Sequence, residues 1–227
     1  MTMKRFFSFR LFAALSVLFT LTACVAHAPR QADYTAFRNS KPRTILVLPP
    51  VNNTSDVSAT YGMLSQMTMP LAEGGYYVVP VVEMEETFRH NGLTTPNDIQ
   101  NVAPDKLRSV FGADAALYTT ITQYGSKFMI VDSTTAVTAG AKLVDLRSGD
   151  TLWQGTASAT GKELGNNFSV NTGGLIGAMV QAAVKQVAHS LADESHDVAG
   201  LTSRKLLSSG GANGLLYGPR SPKYGTD

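Results

Sequence analysis

The chain has 227 residues, with 19 Lys+Arg, 17 Asp+Glu, a formal charge of +2 and one cysteine. Near-neutral charge gives no electrostatic case for a nucleic-acid surface or a polybasic membrane patch, and a lone cysteine excludes an intrachain disulfide. The length suits one domain with appended segments.

Residues 1–23 carry the parts of a secretory signal: Lys4, Arg5 and Arg10, then an apolar run over 11–21, then the small Ala23. The run is about half of the roughly 20 residues a membrane-spanning helix needs. Leu21-Thr22-Ala23-Cys24 at its end reads as a lipobox, so Cys24 is the predicted lipidation site. The alternative is an ordinary signal cut after Ala26 or Ala28. One acyl chain binds a membrane marginally and two or more anchor it stably. Asp at the second mature position tends to retain Gram-negative lipoproteins in the inner membrane. Val25 stands there instead and favours the outer membrane, with the domain facing the periplasm and surface exposure left open. Loss of residues 1–23 leaves 16 basic against 17 acidic residues, a formal charge of −1. The basic pI therefore belongs to the leader.

Residues 24–41 are polar and aperiodic and read as a lipidated tether. A periplasmic α/β domain is predicted over 42–192, followed by an extended or partly disordered tail over 193–227. Residues 44–48 form a buried strand ended by Pro49-Pro50. After a turn, Val57, Tyr61, Leu64, Met67 or Thr68, and Leu71 fall at helical spacing. Pro70 should kink or end that helix and Gly74-Gly75 close it. Its Met63, Met67 and Met69 favour core or oligomer packing over a soft-metal face.

Residues 76–82 predict a second strand. Glu83, Glu85 and Glu86 then open a short helix to His90, where clustered acids suit the helix dipole better than acid–base chemistry. A loop over 92–101 precedes a helix starting at Pro104, with Val110 and Phe111 inward and Gly112 as its stop. Residues 115–124, 128–146 and 151–157 predict an antiparallel meander, with a bulge or bend at Gly140 and a hairpin turn over 147–150. An Asn-rich loop over 162–172 leads to a helix from Gly173-Gly174 to Leu191, striped by Ile176, Val180, Ala183, Val187 and Leu191. Its Gly173-x-x-x-Gly177 spacing suits close packing on a sheet. Beyond Asp193 periodicity fades, and Leu215-Leu216-Tyr217 is an apolar island.

No chemistry-bearing motif survives inspection. His27, His90, His189 and His196 are scattered without metal-ligand spacing, and no nucleophile elbow is present. Gly155 to Gly161-Lys162 misses the phosphate-loop spacing by one residue and has Glu163 where a hydroxyl is needed. No catalytic residue, metal or cofactor is predicted.

The element order β-α-β-α-α-β-β-β-α predicts a mixed α/β sheet with flanking helices and a three-stranded meander. Ile45-Leu46-Val47-Leu48-Pro49 with Asn52-Asn53-Thr54 resembles the first strand and turn of TolB N-terminal and CsgG-type domains. Phe111-Gly112-Ala113-Asp114 is similar to their lead-in to a strand. Residues 142–146, Gly149 and Leu152-Trp153 are similar to their hairpin, with Ser148 where Thr is common. The mature chain, including residues 215–219, resembles a family of proteobacterial lipoproteins typified by a meningococcal surface antigen. That family has no assigned activity, so the resemblance implies fold and location. Its relatives imply homodimers or larger rings and a role in envelope assembly or secretion. The run from Phe128 lacks the continuous apolar face of a lipid-facing strand, so no pore formed by this chain alone is expected. The favoured expectation is an outer-membrane-anchored, self-associating adaptor with an envelope protein partner and no nucleic acid. The alternative is a small-ligand or peptide-binding lipoprotein using a sheet edge or the loop near Asn166-Asn167.

Overall fold

The structure is a computed structural model, described here for residues 32–127, 134–167 and 191–227. Cys24, the signal, Gly173 and Gly177, and the helix expected up to residue 191 lie outside the described residues up to that point. Residues 33–227 form one compact unit.

The unit opens with helix α1 (Thr35–Ser40), whose Phe37 is buried. This helix removes residues 35–40 from the tether expected over 24–41. Strand β1 (Thr44–Val47) follows, and Leu48 continues its buried run. Pro49 and Pro50 interrupt the strand and do not end it. They lack the N–H a ladder requires, but pairing resumes at β2 (Val51–Asn52), bracketed by Leu48 N–H to Leu117 O and Asn53 N–H to Ile121 O.

Helix α2 (Ala59–Glu73) buries Met63, Leu64, Met67 and Leu71 completely. Val57 and Tyr61, expected in the stripe, are 93% and 63% exposed. Pro70 neither stops nor ends the helix, which runs one turn further to Gly74 and Gly75. Gly75 takes φ +97, which favours glycine there. The second strand is short: β3 (Tyr77–Val78) ends before Pro80, and Val81 and Val82 begin helix α3 (Val81–His90). Pro80 sits at the N-cap, where its ring needs no donor.

The expected loop contains helix α4 (Pro96–Gln100), capped by the Thr95 hydroxyl accepting from Asp98 N–H at 3.2 Å. Helix α5 (Pro104–Phe111) ends as expected at Gly112, φ +64. Leu107 is its buried residue, while Val110 is exposed and Phe111 stacks on Phe88 at 5.2 Å.

Strands β4 (Ala115–Gln123), β5 (Ser126–Lys127), β6 (Thr134–Asp145) and β7 (Thr151–Thr160) complete the sheet. The order is β3-β1-β4-β6-β7, with β2 prolonging the β1 position beside β4 and β5 pairing with the start of β6. β1 is parallel to β3 and β4, and β4, β6 and β7 form the predicted antiparallel meander. Gly140 is not a bulge. The register shifts fall at 121/123 and 143/144.

Helix α6 (Gly161–Asn167) follows β7, and helix α7 (Leu191–Leu207) replaces the extended tail expected from residue 193. Its buried face includes Ser195, Thr202 and Ser203 beside Val198, Ala199, Leu206 and Leu207. Thr202 satisfies its hydroxyl on the carbonyls of Val198 and Val137 at 2.9 and 3.2 Å. Hydroxyls on the inward face broke the apolar period. α7 packs on α2, β6 and β7, sealing the sheet face that carries Leu117, Ile121, Val137, Ala139 and Leu143.

The β6–β7 turn is built on buried Asp145, which accepts from Arg147 N–H at 2.6 Å, Ser148 N–H at 3.1 Å and the Ser40 hydroxyl. Burial pushes this carboxyl up, but the Ser40 hydroxyl and the two amides outweigh it and hold it below the usual range. A depressed carboxylate adds stability above its unfolded pKa, and that stability is lost as pH falls through the folded value. Asp145→Asn is therefore expected to cost about 2 kcal/mol near neutrality and to flatten the loss of stability below about pH 4. Urea unfolding of both forms across pH checks this.

Candidate functional site

The other side of the meander is open. Direct cross-strand partners place Tyr118, Lys142 and Gln154 in one row and Thr120, Gly140 and Thr156 in the next. A third row follows, in which Thr138 and Ser158 share a hydrogen bond at 2.9 Å and the Thr122 hydroxyl donates to Thr138 O at 3.4 Å. α4 and the residue after it form one wall through Asn97, Gln100 and Asn101, and the concavity so formed has a volume of about 1030 Å³. Gln100 pins that wall by donating to Pro49 O at 2.9 Å and Thr119 O at 3.0 Å.

Among the described residues the lining is hydrogen-bonding, with Lys142 its one charged side chain. The Lys142 ammonium lies 5.1 Å from the Tyr118 ring centre and, among the described residues, has no carboxylate partner. Burial pushes the Tyr118 phenol up, which keeps it protonated and able to donate. The floor offers no base beside a nucleophile. It offers donors and acceptors around a bare centre.

That centre is Gly140. Its φ is not positive, and an added Cβ would make only ordinary contacts, 3.4 Å to Thr156 Oγ1 and 3.8 Å to Gly155 O. Neither backbone geometry nor neighbours require glycine, although it weakens a strand interior. A glycine in this setting permits close approach of another molecule. Gly155 differs, since a Cβ there would strike the Trp153 indole at 2.5 Å. Gly140→Val is expected to keep or raise the thermal midpoint, by at most about 1 kcal/mol of strand preference, while filling the concavity. A clear fall in the midpoint would show that the glycine serves the fold.

The other candidates disperse. Asn166 and Asn167 fall at the end of α6, and their side chains lie outside the described residues. Met63 and Met67 are core and Met69 is 57% exposed. Glu86 pairs with Arg89 and His90 on its own helix, and the Arg89 hydrogen bond holds its carboxyl down at about 2. Glu163 of the dismissed phosphate loop pairs with Lys205. His196 meets Gln66 at 2.5 Å, and His27 and His189 lie outside the described residues. Among the described residues no group of three His, Cys, Asp or Glu could hold a metal, and no helix is long and apolar enough to cross a membrane.

Leu215 and Leu216 are not a free island. The segment after α7 folds back as a strap held by three aromatic donors. Tyr34 Oη gives to Gly214 O at 2.5 Å, Tyr76 Oη to Leu216 O at 2.6 Å and Trp153 Nε1 to Asn213 O at 2.9 Å. Burial pushes the Tyr76 phenol up and keeps it a donor.

A mixed sheet closed by helices on one side and bare over its meander on the other makes this a mixed α/β domain. The crystal structure of lipoprotein GNA1162 from Neisseria meningitidis shares it, at 48% identity and TM-score 0.51 over 66% of this chain and all of that one. The chain belongs to the family described as "Putative lipoprotein GNA1162-like", whose profile matches residues 32–220. It is 46% identical over 210 residues to "Putative lipoprotein NMB1124/NMB1162" of Neisseria meningitidis serogroup B, spanning 92% of this chain and 95% of that protein. More distant similarity extends to the PelC dodecamer of Paraburkholderia phytofirmans, at 16% identity and TM-score 0.40 over 73% of this chain and 86% of that one. The family resemblance drawn from sequence is thus shown, and the protein is a lipoprotein-family member associated with the envelope. The relatives carry no enzyme description.

Proposed function

We propose that the chain is an outer-membrane lipoprotein, acylated at Cys24, whose periplasmic α/β domain self-associates and serves as an adaptor in an envelope assembly or secretion complex. The observation that carries this reading is the sheet itself, sealed by α2 and α7 on one face and left open on the other as a hydrogen-bonding concavity. Such a surface suits holding a partner. It lacks the paired ionisable groups an acid–base enzyme needs.

Self-association draws support from Tyr61 and Met69 on α2 and Val57 in the turn before it, which are large, apolar and 57–93% exposed. Mass measurement on the Cys24→Ser mature chain tests it. A dimer or larger species is expected, with Tyr61→Asp shifting it to monomer. A wild-type monomer at high micromolar concentration contradicts self-association.

A second reading is favoured by Gly140 and Lys142 together. The concavity then takes a small polar ligand or peptide bearing one anionic group, with that group on Lys142 and the chain laid over Gly140. Here the seat is the sheet face.

A further inference from the structure

We propose that the end of the domain where residue 33 begins it is a membrane-docking surface that binds anionic phospholipid headgroups. This rests on the anchor at Cys24 proposed above. Six exposed cations from three distant stretches meet there: Arg38, Lys41 and Arg43 at the start of the domain, Arg147 in the β6–β7 turn, and Arg220 and Lys223 in the strap.

Specific contacts hold these stretches together. Arg147 Nη2 donates to Ser40 O at 3.3 Å, beside Lys41, and Arg38 Nη2 donates to the Asp227 carbonyl at 3.2 Å. Arg43 and Arg220 line one cavity of about 270 Å³ with Tyr77 and Asp114. The Arg220 guanidinium lies 5.2 Å from the Tyr77 ring centre, and the Lys223 ammonium 5.5 Å from that of Tyr217.

Of the carboxylates at this end, Asp33, Asp114, Asp145 and Asp227 are already engaged, whereas Asp150, in the same turn as Arg147, is exposed. Asp33 accepts from Thr35 N–H at 2.9 Å, and Asp145 is buried under its turn. Asp114 takes the amides of Arg43 and Thr44 at 3.0 and 3.1 Å and Arg147 at 3.5 Å. Asp227 takes Tyr217 N–H at 2.7 Å. Among the described residues, Lys41, Arg43, Arg220 and Lys223 have no ion-pair partner. Their charge faces outward beside Tyr77 and Tyr224, 43% and 47% exposed, and amphipathic rings of this kind favour the headgroup layer.

The anchor makes this end the one that meets the bilayer. Nine residues of chain from Cys24 to Asp33 reach at most about 30 Å when fully extended. Clustered cations that close to an anionic leaflet are attracted to it, within the reach set by ionic screening. Bulk composition hides the patch because the rest of the domain carries the acidic excess.

The test uses the mature chain with Cys24→Ser, so no acyl chain contributes. It is sedimented with vesicles of phosphatidylglycerol and phosphatidylcholine in equal parts, and with phosphatidylcholine alone. Binding is expected to the anionic vesicles only, and to vanish at about 1 M salt, where screening acts within about 3 Å. The Arg43→Glu, Arg220→Glu, Lys223→Glu triple variant should lose about 100-fold in affinity, and the milder Lys41→Glu, Lys223→Glu pair about 10-fold or more. Lys106→Glu with Arg108→Glu on α5 should change nothing. Equal binding to both vesicles, no binding, or retained binding by the triple variant would overturn the proposal. Because the anchor is absent, a negative result leaves acylation to be judged separately by palmitate labelling of the wild type.

Discussion

Truncation after Ser208 is expected to unfold the domain. The strap it removes buries Leu215 and Leu216, each contributing about 1.5–3 kcal/mol. It also supplies the acceptors for Tyr34, Tyr76 and Trp153. A buried donor left without a partner costs about 1–3 kcal/mol, so the combined loss approaches the roughly 5–15 kcal/mol that holds a domain folded. Two further ties go with it, Gly218 N–H to Gly74 O at 2.8 Å and Arg220 N–H to Gly75 O at 3.0 Å. Circular dichroism and urea unfolding of the truncated chain should show no cooperative transition at 25 °C. Leu215→Ala, a smaller insult, should cost about 2–5 kcal/mol. A truncated chain that melts with the wild-type midpoint would show the strap to be an accessory.

Cys24→Ala should move the protein from the membrane to the soluble fraction. Acyl chains contribute about 0.8 kcal/mol per buried methylene, and two or more make anchoring stable where one is marginal. The variant should take up no palmitate. If the basic end of the domain meets anionic lipid as inferred, some variant protein will follow the membranes at low salt and be stripped by a high-salt wash. Wild-type protein should resist that wash. Variant protein that stays with membranes at high salt would break the assignment of Cys24 as the anchor.

The sheet was readable where burial writes itself into sequence. Residues 45–48 and 115–117 are apolar because one or both faces are covered, and Gly112 and Gly149 stand at positive φ where a stop and a turn were expected. Errors cluster where a polar side chain does an interior task. Thr202 and Ser203 face the core, so α7 looked like a tail. Val81 and Val82 favour strand by type, yet Pro80 starts a helix there. Pro49 and Pro50 looked like a stop because the resumed pairing at Val51 depends on a neighbour about 70 residues away.

The candidate site was less legible for the same reason. Its floor is set by the register of three strands, and Thr120, Gly140 and Thr156 gain meaning only as neighbours. Gly140 stood out in the sequence but as a bend, since a glycine that admits a ligand and one that admits a bulge look alike in one dimension. The six cations of the basic end are further apart still, with Arg38 and Lys223 separated by 185 residues in sequence. Cys24 is the opposite case, a proposed anchor that rests on a local motif alone.

The most direct test of the adaptor reading is in-cell photo-crosslinking from the open face of the sheet. A photoreactive residue at Thr156, in cells with and without Gly140→Val, would be analysed in the membrane fraction by mass spectrometry. The account predicts a discrete adduct with an envelope protein that disappears in the Gly140→Val background while protein level and melting remain unchanged. Recovery of monomer alone, or an adduct indifferent to Gly140→Val, would contradict it.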